Sequence, residues 1–490
     1  MSDSPIPRTV LNWIDNHAVA AQAGAAFGKF DPVTGKPLCQ VTRSQSVDAH
    51  AAIQAARDAF PAWAAQTVAK RGDILRQASI ALQQRSDEFA RIVHLETGKS
   101  MKDARGEVGA AIEMGFFVAG EGRRFYGKTT TSAVPNKLAS IQRQPLGVAG
   151  LIIAANTPIA NVAWKAFPAL LCGNSAVLKP SEDTAYTALA FAELLRDAGL
   201  PAGVFNVVQG LGPEAGAPLV ESPEVNVVSF TGSCQVGRWV AKVAGERLAK
   251  VCLELGGKNP LIVCDDANLE KAVEAAALAA FSNAGQRCAS GSRILVFDAV
   301  YDRFQRMFVD RTRSLKLGNG DADDLGPVIN ERQLTNMLAA VRRAREAGAV
   351  VLTGGQRVEQ EPRRQGYFMM PTILERVAFE AEISRSELFG PITCLYRVKD
   401  FAEAVARAND SPFGLTASLH TTSVHRAMSW IQQARCGVAV VNGPTHGSEP
   451  HMPFGGLRHS GNGLREAGTE ALDVYSDWKT VYVNFDPAAA

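Results

Sequence analysis

The chain has 490 residues, 46% of them apolar and 20% charged, an ordinary globular composition long enough for two or more domains. Its 51 basic and 49 acidic residues leave a net charge of +2, which gives no basis for nucleic acid as a partner. Eight scattered cysteines without a Cys-x-x-Cys pair argue against a disulfide framework or zinc site, and no apolar run is long enough to span a bilayer.

The expected setting is therefore cytoplasmic, with reduced thiols, no membrane and no metal. The polar N-terminus has no apolar core of a signal peptide. Asp31 to Gly35 reads as a turn. Ser46 is a candidate cap for a helix through Ile53, Ala56 and Phe60 to Trp63. One helical stretch is expected from Ala69 to Leu95, stopping near Gly98. Another is expected from Arg105 to Tyr126. Thr129 to Arg143 alternates around Pro135-Asn136 and reads as a hairpin.

From Gly147 strands alternate with helices. Strands are expected at 148–154, 175–178, 204–208 and 225–230. Helices are expected at 161–171, 184–198 and 212–220. This order predicts a parallel, doubly wound α/β sheet, with ligands beyond the carboxyl ends of its strands. A second α/β block follows: strands 261–263 and 294–297, helices 269–281 and 301–315. The last stretch, 475–485, alternates apolar and polar residues. It reads as a strand with no local partner, to be paired with the 129–143 hairpin or in another subunit.

Several polar loops follow these strands. Phe281-Ser-Asn-Ala-Gly-Gln-Arg-Cys288 puts a cysteine in a small, Gly-containing loop, where Arg287 and Arg293 would favour a thiolate. Glu254, between apolar neighbours, suits a general base whose pKa burial raises. The Asn156 amide can donate to an oxyanion. Lys179-Pro-Ser-Glu182 suits ribose hydroxyls. Thr231-Gly-Ser-Cys-Gln-Val-Gly237 is a strand, glycine turn and helix start that suits a phosphate, although it lacks G-x-G-x-x-G spacing. Each also has a plain structural reading: a turn, a helix cap, a solvated loop or a core aromatic. Pro453-Phe-Gly-Gly456 alone reads as a surface loop, and His446, Glu449 and His451 as solvated residues.

In order and spacing, Asn156, Lys179 to Glu182, Phe230 to Ser233, Glu254 to Lys258, Gly285 to Cys288, Glu387-Leu-Phe-Gly-Pro391 and Pro453 to Gly456 resemble the NAD(P)-dependent aldehyde dehydrogenase superfamily. The resemblance covers about Asn12 to Val483. It implies an α/β, aldehyde dehydrogenase-like fold with a Rossmann-type nucleotide-binding domain (1–124 and 146–256), an α/β catalytic domain (257–456) and a β-flap oligomerisation element (125–145 and 473–490). It implies NAD, with NADP possible, a small aldehyde as substrate, and a homodimer or homotetramer. Cys288 would be the nucleophile, Asn156 and the Cys288 N–H the oxyanion donors, Glu254 the base for deacylation, and Lys165 part of a proton relay. Lys179, Ser181, Glu182, Gly232, Ser233, Gly237, Glu387 and Phe389 would bind the cofactor. Trp164, Arg287 and Phe454 would line the substrate tunnel.

The chain departs from the family pattern at Ala154-Ala155, where Pro-Trp is frequent, and at Cys234, Ser386 and Arg458. The substrate signals diverge. Asn442 to Gly456 is similar to aromatic-aldehyde members, whereas Leu464-Arg-Glu-Ala-Gly468 is similar to semialdehyde-oxidising members. Arg287 suits a substrate carboxylate or solvent. The competing readings are acyl transfer from the thioester to coenzyme A and a non-catalytic binding protein on the same fold.

Overall fold

The computed structural model describes residues 4–489. Two seven-stranded sheets carry the chain, one built from residues 12–254 and one from residues 259–441. In the first, the order is Lys250–Glu254, Val225–Thr231, Val148–Ile152, Ser175–Lys179, Phe205–Val207, Asn12–Ile14 and His17–Val19. Its first five strands are parallel, as the βα alternation predicts. The last two are antiparallel, a departure contributed by the N-terminal segment.

Period-two alternation explains why helices cover both faces of this sheet. Ala149, Leu151, Ala176 and Leu178 pack with the helices Val68–Gln84, Met101–Glu121, Pro158–Leu171 and Ala185–Asp197. Their neighbours Val148, Val177, Val228 and Phe230 pack with Ser46–Ala64, Ala217–Glu221 and Cys234–Glu246.

Two expectations about helix ends are corrected. Ser46 is not the cap of the first helix. Gln45 holds that place, and Asp48 closes the terminus by accepting the Gln45 N–H at 2.9 Å. The expected 69–95 helix is two helices, Val68–Gln84 and Ser86–Thr97, because Arg85 leaves the helical region at φ −103°, ψ 21°. Gly98, in the left-handed region at φ 73°, ends the second.

The second sheet runs Val350–Thr353, Thr372–Glu375, Ile392–Val398, Gly291–Phe297, Asn259–Val263, Thr416–His420 and Val438–Val441. It is parallel except at the Val350–Thr353 edge. The orphan C-terminal strand is Ser476–Asn484. It pairs antiparallel with Lys137–Pro145 of the hairpin, in a three-stranded ribbon with Lys128–Thr131. Trp478, Tyr482, Val483 and Leu138 are exposed on this ribbon. Among the described residues, no helix is long and apolar enough to cross a membrane, and all eight cysteines are free.

Candidate active site

Val148–Ile152 and Val225–Thr231 are hydrogen-bonded neighbours, although the chain forms two other strands of the sheet between them. The winding reverses there, and a crevice opens beyond the carboxyl ends of such a pair. The crevice is a cavity of about 800 Å³ whose lining includes Asn156, Ser233, Glu254, Cys288 and Glu387. Asn156 follows the first strand, Ser233 the second, and Glu254 ends the adjacent one. Cys288 comes from the second sheet's side, just before the strand Gly291–Phe297.

The loop that presents Cys288 is built tightly. Asn283, Ala284 and Gly285 are all left-handed, at φ 52°, 52° and 67°. At Gly285 a side chain is also excluded, since a Cβ would lie 2.1 Å from the Gly390 carbonyl oxygen. Asn259 Nδ2 donates to the Cys288 carbonyl at 2.7 Å, and Thr445 Oγ1 to that of Ala289 at 2.6 Å. Gln286 donates to the Pro327 carbonyl and accepts the Ile329 N–H. The nucleophile candidate therefore sits on a fixed backbone, half-buried at the cavity wall.

The expectation that flanking arginines favour a thiolate is corrected. Burial, and then the carboxyl groups of Glu387 and Glu254, push the Cys288 thiol up to about 12. Arg287 pulls the other way without prevailing. Arg293 is buried within its strand and donates to the Arg407 carbonyl instead. These surroundings favour the thiol over the thiolate.

Asn156 is held from three sides. Lys99 Nζ and Asn283 Nδ2 donate to its carbonyl at 2.8 and 3.1 Å, and Asn161 Nδ2 donates to Oδ1 at 3.3 Å. With Oδ1 occupied, the Asn156 N–H₂ is left as a donor. Among the described residues neither it nor the Cys288 backbone N–H has a protein acceptor. Glu107 supports the same corner: it accepts the Ile159 N–H at 2.9 Å, at a helix N-terminus, and pairs with Lys99 at 2.6 Å.

Glu254 is 5% exposed, and neither of its carboxyl oxygens has a hydrogen-bond partner. Burial first, and Glu466 second, raise its pKa well above the ordinary carboxylate range. The glycine loop expected at the surface lies against it. Gly455, at φ 151°, would place a Cβ 2.7 Å from Glu254 Oε1. Lys165, fully buried, donates to Ser229 Oγ at 2.8 Å and pairs with Glu466, which also accepts from Ser229 at 2.9 Å.

Glu387 accepts the Gly257 N–H at 3.0 Å, and burial pushes its carboxyl up to about 7. A Cβ at Gly256 would lie 2.0 Å from Glu387 Oε2, so a side chain there would displace that carboxyl. Phe389, left-handed at φ 56°, lines the cavity beside it. Gly232 and Ser233 lead into the helix Cys234–Glu246, which Ser233 caps by accepting the Val236 N–H. The Thr231 hydroxyl there is buried without a partner. A helix N-terminus with free donors suits a phosphate, so the residues present fit a dinucleotide.

Gly237 lies one turn further in, buried where a Cβ would meet the Leu255 side chain at 2.4 Å. Helix packing accounts for that glycine. Lys179 is buried at the end of its strand with Nζ 3.8 Å from Glu182, and Arg332 lies 4.0 Å from the other Glu182 oxygen. With Ser181, this group lies outside the lining of the 800 Å³ cavity. Trp164, Arg287 and Phe454 are in the lining. The two aromatic rings meet edge to face at 6.0 Å. His446, read from sequence as solvated, is half-buried in the same wall.

Sequence reasoning missed Asn161, Asn259 and the Lys99–Glu107 pair. It noted Glu466 only as part of a similar segment. Asn259 and Glu466 act through partners distant in sequence, and Asn161 and the Lys99–Glu107 pair across a turn or helix start, so no periodic pattern marks them. The one available signal was a charged residue inside an apolar helix, at Lys165.

The sequence profile described as the Aldehyde dehydrogenase family matches residues 19–481. The chain is 38% identical to an alpha-ketoglutaric semialdehyde dehydrogenase of Bacillus subtilis, over 97% of this chain and 98% of that one. It is also 38% identical to a succinate-semialdehyde dehydrogenase [NADP(+)] of Escherichia coli, over 95% of both. Among solved structures, betaine aldehyde dehydrogenase of Staphylococcus aureus in complex with NAD+ superimposes with a TM-score of 0.95 at 32% identity, covering 98% of this chain and 95% of that one.

Proposed function

The chain belongs to the aldehyde dehydrogenase family, and from that premise we propose that it oxidises an aldehyde to a carboxylic acid with NAD as the oxidant. The observation that carries this reading is the convergence of Cys288, Asn156 and Glu254 on one cavity.

The Cys288 thiol gives its proton to solvent as its sulfur attacks the aldehyde carbon, giving a thiohemiacetal whose oxyanion accepts from the Asn156 N–H₂ and the Cys288 N–H. NAD, when bound, supplies the chemistry of hydride acceptance. Loss of the hydride leaves a thioester on Cys288. Glu254 then takes a proton from water, the hydroxide adds to the thioester carbon, and the C–S bond breaks to release the acid and the Cys288 thiolate, which regains a proton from solvent. Lys165 and Glu466 lead the proton on from Glu254. Gly232 and Ser233 face the pyrophosphate, Glu387 the nicotinamide ribose beside Phe389, and Lys179, Ser181 and Glu182 the adenosine ribose.

Residues 1–124 and 146–256 form the nucleotide-binding domain in this reading, and 257–456 the catalytic domain. The ribbon of 125–145 and 473–490 joins subunits in a dimer or tetramer. Two of the relatives are semialdehyde dehydrogenases by name, which favours a substrate of that kind. The test is NADH formation over a panel of aldehydes, with the product analysed in the presence and absence of coenzyme A. Acid as product in both supports hydrolysis, and an acyl-coenzyme A would contradict it.

A further inference from the structure

Arg287 stands next to the nucleophile and has no carboxylate partner among the described residues. Among the described residues its side chain makes one hydrogen bond, from Nε to Ser282 Oγ at 3.2 Å. Ser282 Oγ lies 3.2 Å from His446 Nε2, which is 3.3 Å from the Leu278 carbonyl. Ser282 and His446 thus steady one edge of the guanidinium. Both terminal nitrogens are left without a protein acceptor.

The other charges of this cavity are accounted for. Lys99 answers Glu107, and Lys165 answers Glu466. Burial holds the Glu254 and Glu387 carboxyls toward their neutral forms. Lys102 and Asp103, one of each sign, stand side by side at a helix start in the lining, with no ion pair between them among the described residues. Burial and then Arg287 push the His446 imidazole down to about 4, so it adds no second positive charge. In the wall that carries the nucleophile, Arg287 is, among the described residues, a cation that no carboxylate pairs.

We propose that the two free edges of Arg287 bind a carboxylate on the substrate, so that the preferred aldehyde is a short oxo acid. The proposal rests on the reading of Cys288 as the nucleophile of aldehyde oxidation. A planar guanidinium fixed through Nε presents its terminal N–H groups as a fork, which matches a carboxylate. The Trp164–Phe454 pair in the same cavity lining suits the uncharged carbons between the two ends.

The experiment compares kcat/KM within matched pairs: succinic semialdehyde against butyraldehyde, and glutaric semialdehyde against valeraldehyde. It is run on the native enzyme, Arg287→Gln and Arg287→Lys. The readout is the ratio within a pair, so a general loss of activity or folding cancels. The native enzyme is expected to favour the carboxylated member by about tenfold or more. Arg287→Gln brings the ratio close to one, mainly through KM, and Arg287→Lys retains part of it. A ratio near one in the native enzyme, or one unchanged in Arg287→Gln, would overturn the subsite alone. No NADH from any of the four aldehydes would overturn the oxidation reading and the subsite with it.

Discussion

Lys165 and Glu466 form a buried ion pair across 301 residues of chain. Lys165 belongs to the helix that follows Asn156, and Glu466 to the segment bridged to Phe454. The pair ties the back of the active-site cavity together and sits behind Glu254, whose protonation it influences. Taking both ions out of water is costly, and only their mutual contact and Ser229 offset that cost.

Breaking this pair on one side should be expensive. Lys165→Met leaves the Glu466 carboxylate buried and unpaired, an expected loss of about 3–5 kcal/mol in unfolding stability. The double variant Lys165→Met/Glu466→Leu should lose less than the two single variants summed. Urea unfolding of the four proteins measures the coupling, and simple additivity would contradict a direct pair.

Asn156 should act on chemistry. Asn156→Ala removes the proposed oxyanion donor, and kcat is expected to fall about 10²–10³-fold. Asn161→Ala should cost less, because it only orients the Asn156 amide. Steady-state kinetics on both variants separates donor from support, and equal losses would refute this ranking.

Activity should rise with pH. The Cys288 thiol and the Glu254 carboxyl are both raised by burial, so each keeps its proton to higher pH than in solution. In the proposed reaction both are needed without that proton, one as nucleophile and one as base. The acid limb of the kcat profile should therefore lie well above the ordinary carboxylate range. A profile already flat through the weakly acidic range would contradict these environments.

Cofactor choice should follow Glu182. Its carboxylate, near Lys179 and Arg332, would repel a 2′-phosphate. NAD is expected to exceed NADP at least about tenfold in kcat/KM, and Glu182→Gln to narrow the gap. An equal or greater preference for NADP in the native enzyme would refute the assignment.

Much of this architecture is legible in the chain. The βα alternation from Gly147 onward predicts the parallel strands because fully buried strands read as continuous apolar runs. The C-terminal strand is visible as alternation without a partner, and its partner is the hairpin. What is not legible depends on tertiary pairing. Strands Asn12–Ile14 and His17–Val19 are too short to carry a periodic signal. Arg85 breaks a helix in an otherwise helical pattern. The thiol at Cys288 is raised although arginines flank it in sequence, because the fold buries it, brings Glu387 from a loop and Glu254 from a strand end, and turns Arg293 into the core. Glu466 meets Lys165 only once the sheet is formed.

The most direct test of the account is rapid-mixing NADH formation by Glu254→Gln and Cys288→Ala. Glu254→Gln should release about one NADH per active site and then stall, with the acyl group found on the Cys288 peptide. Cys288→Ala should give neither burst nor turnover. Steady turnover by Glu254→Gln at the native rate, or a burst from Cys288→Ala, would contradict the acyl-carrying role assigned to Cys288 and the base role assigned to Glu254.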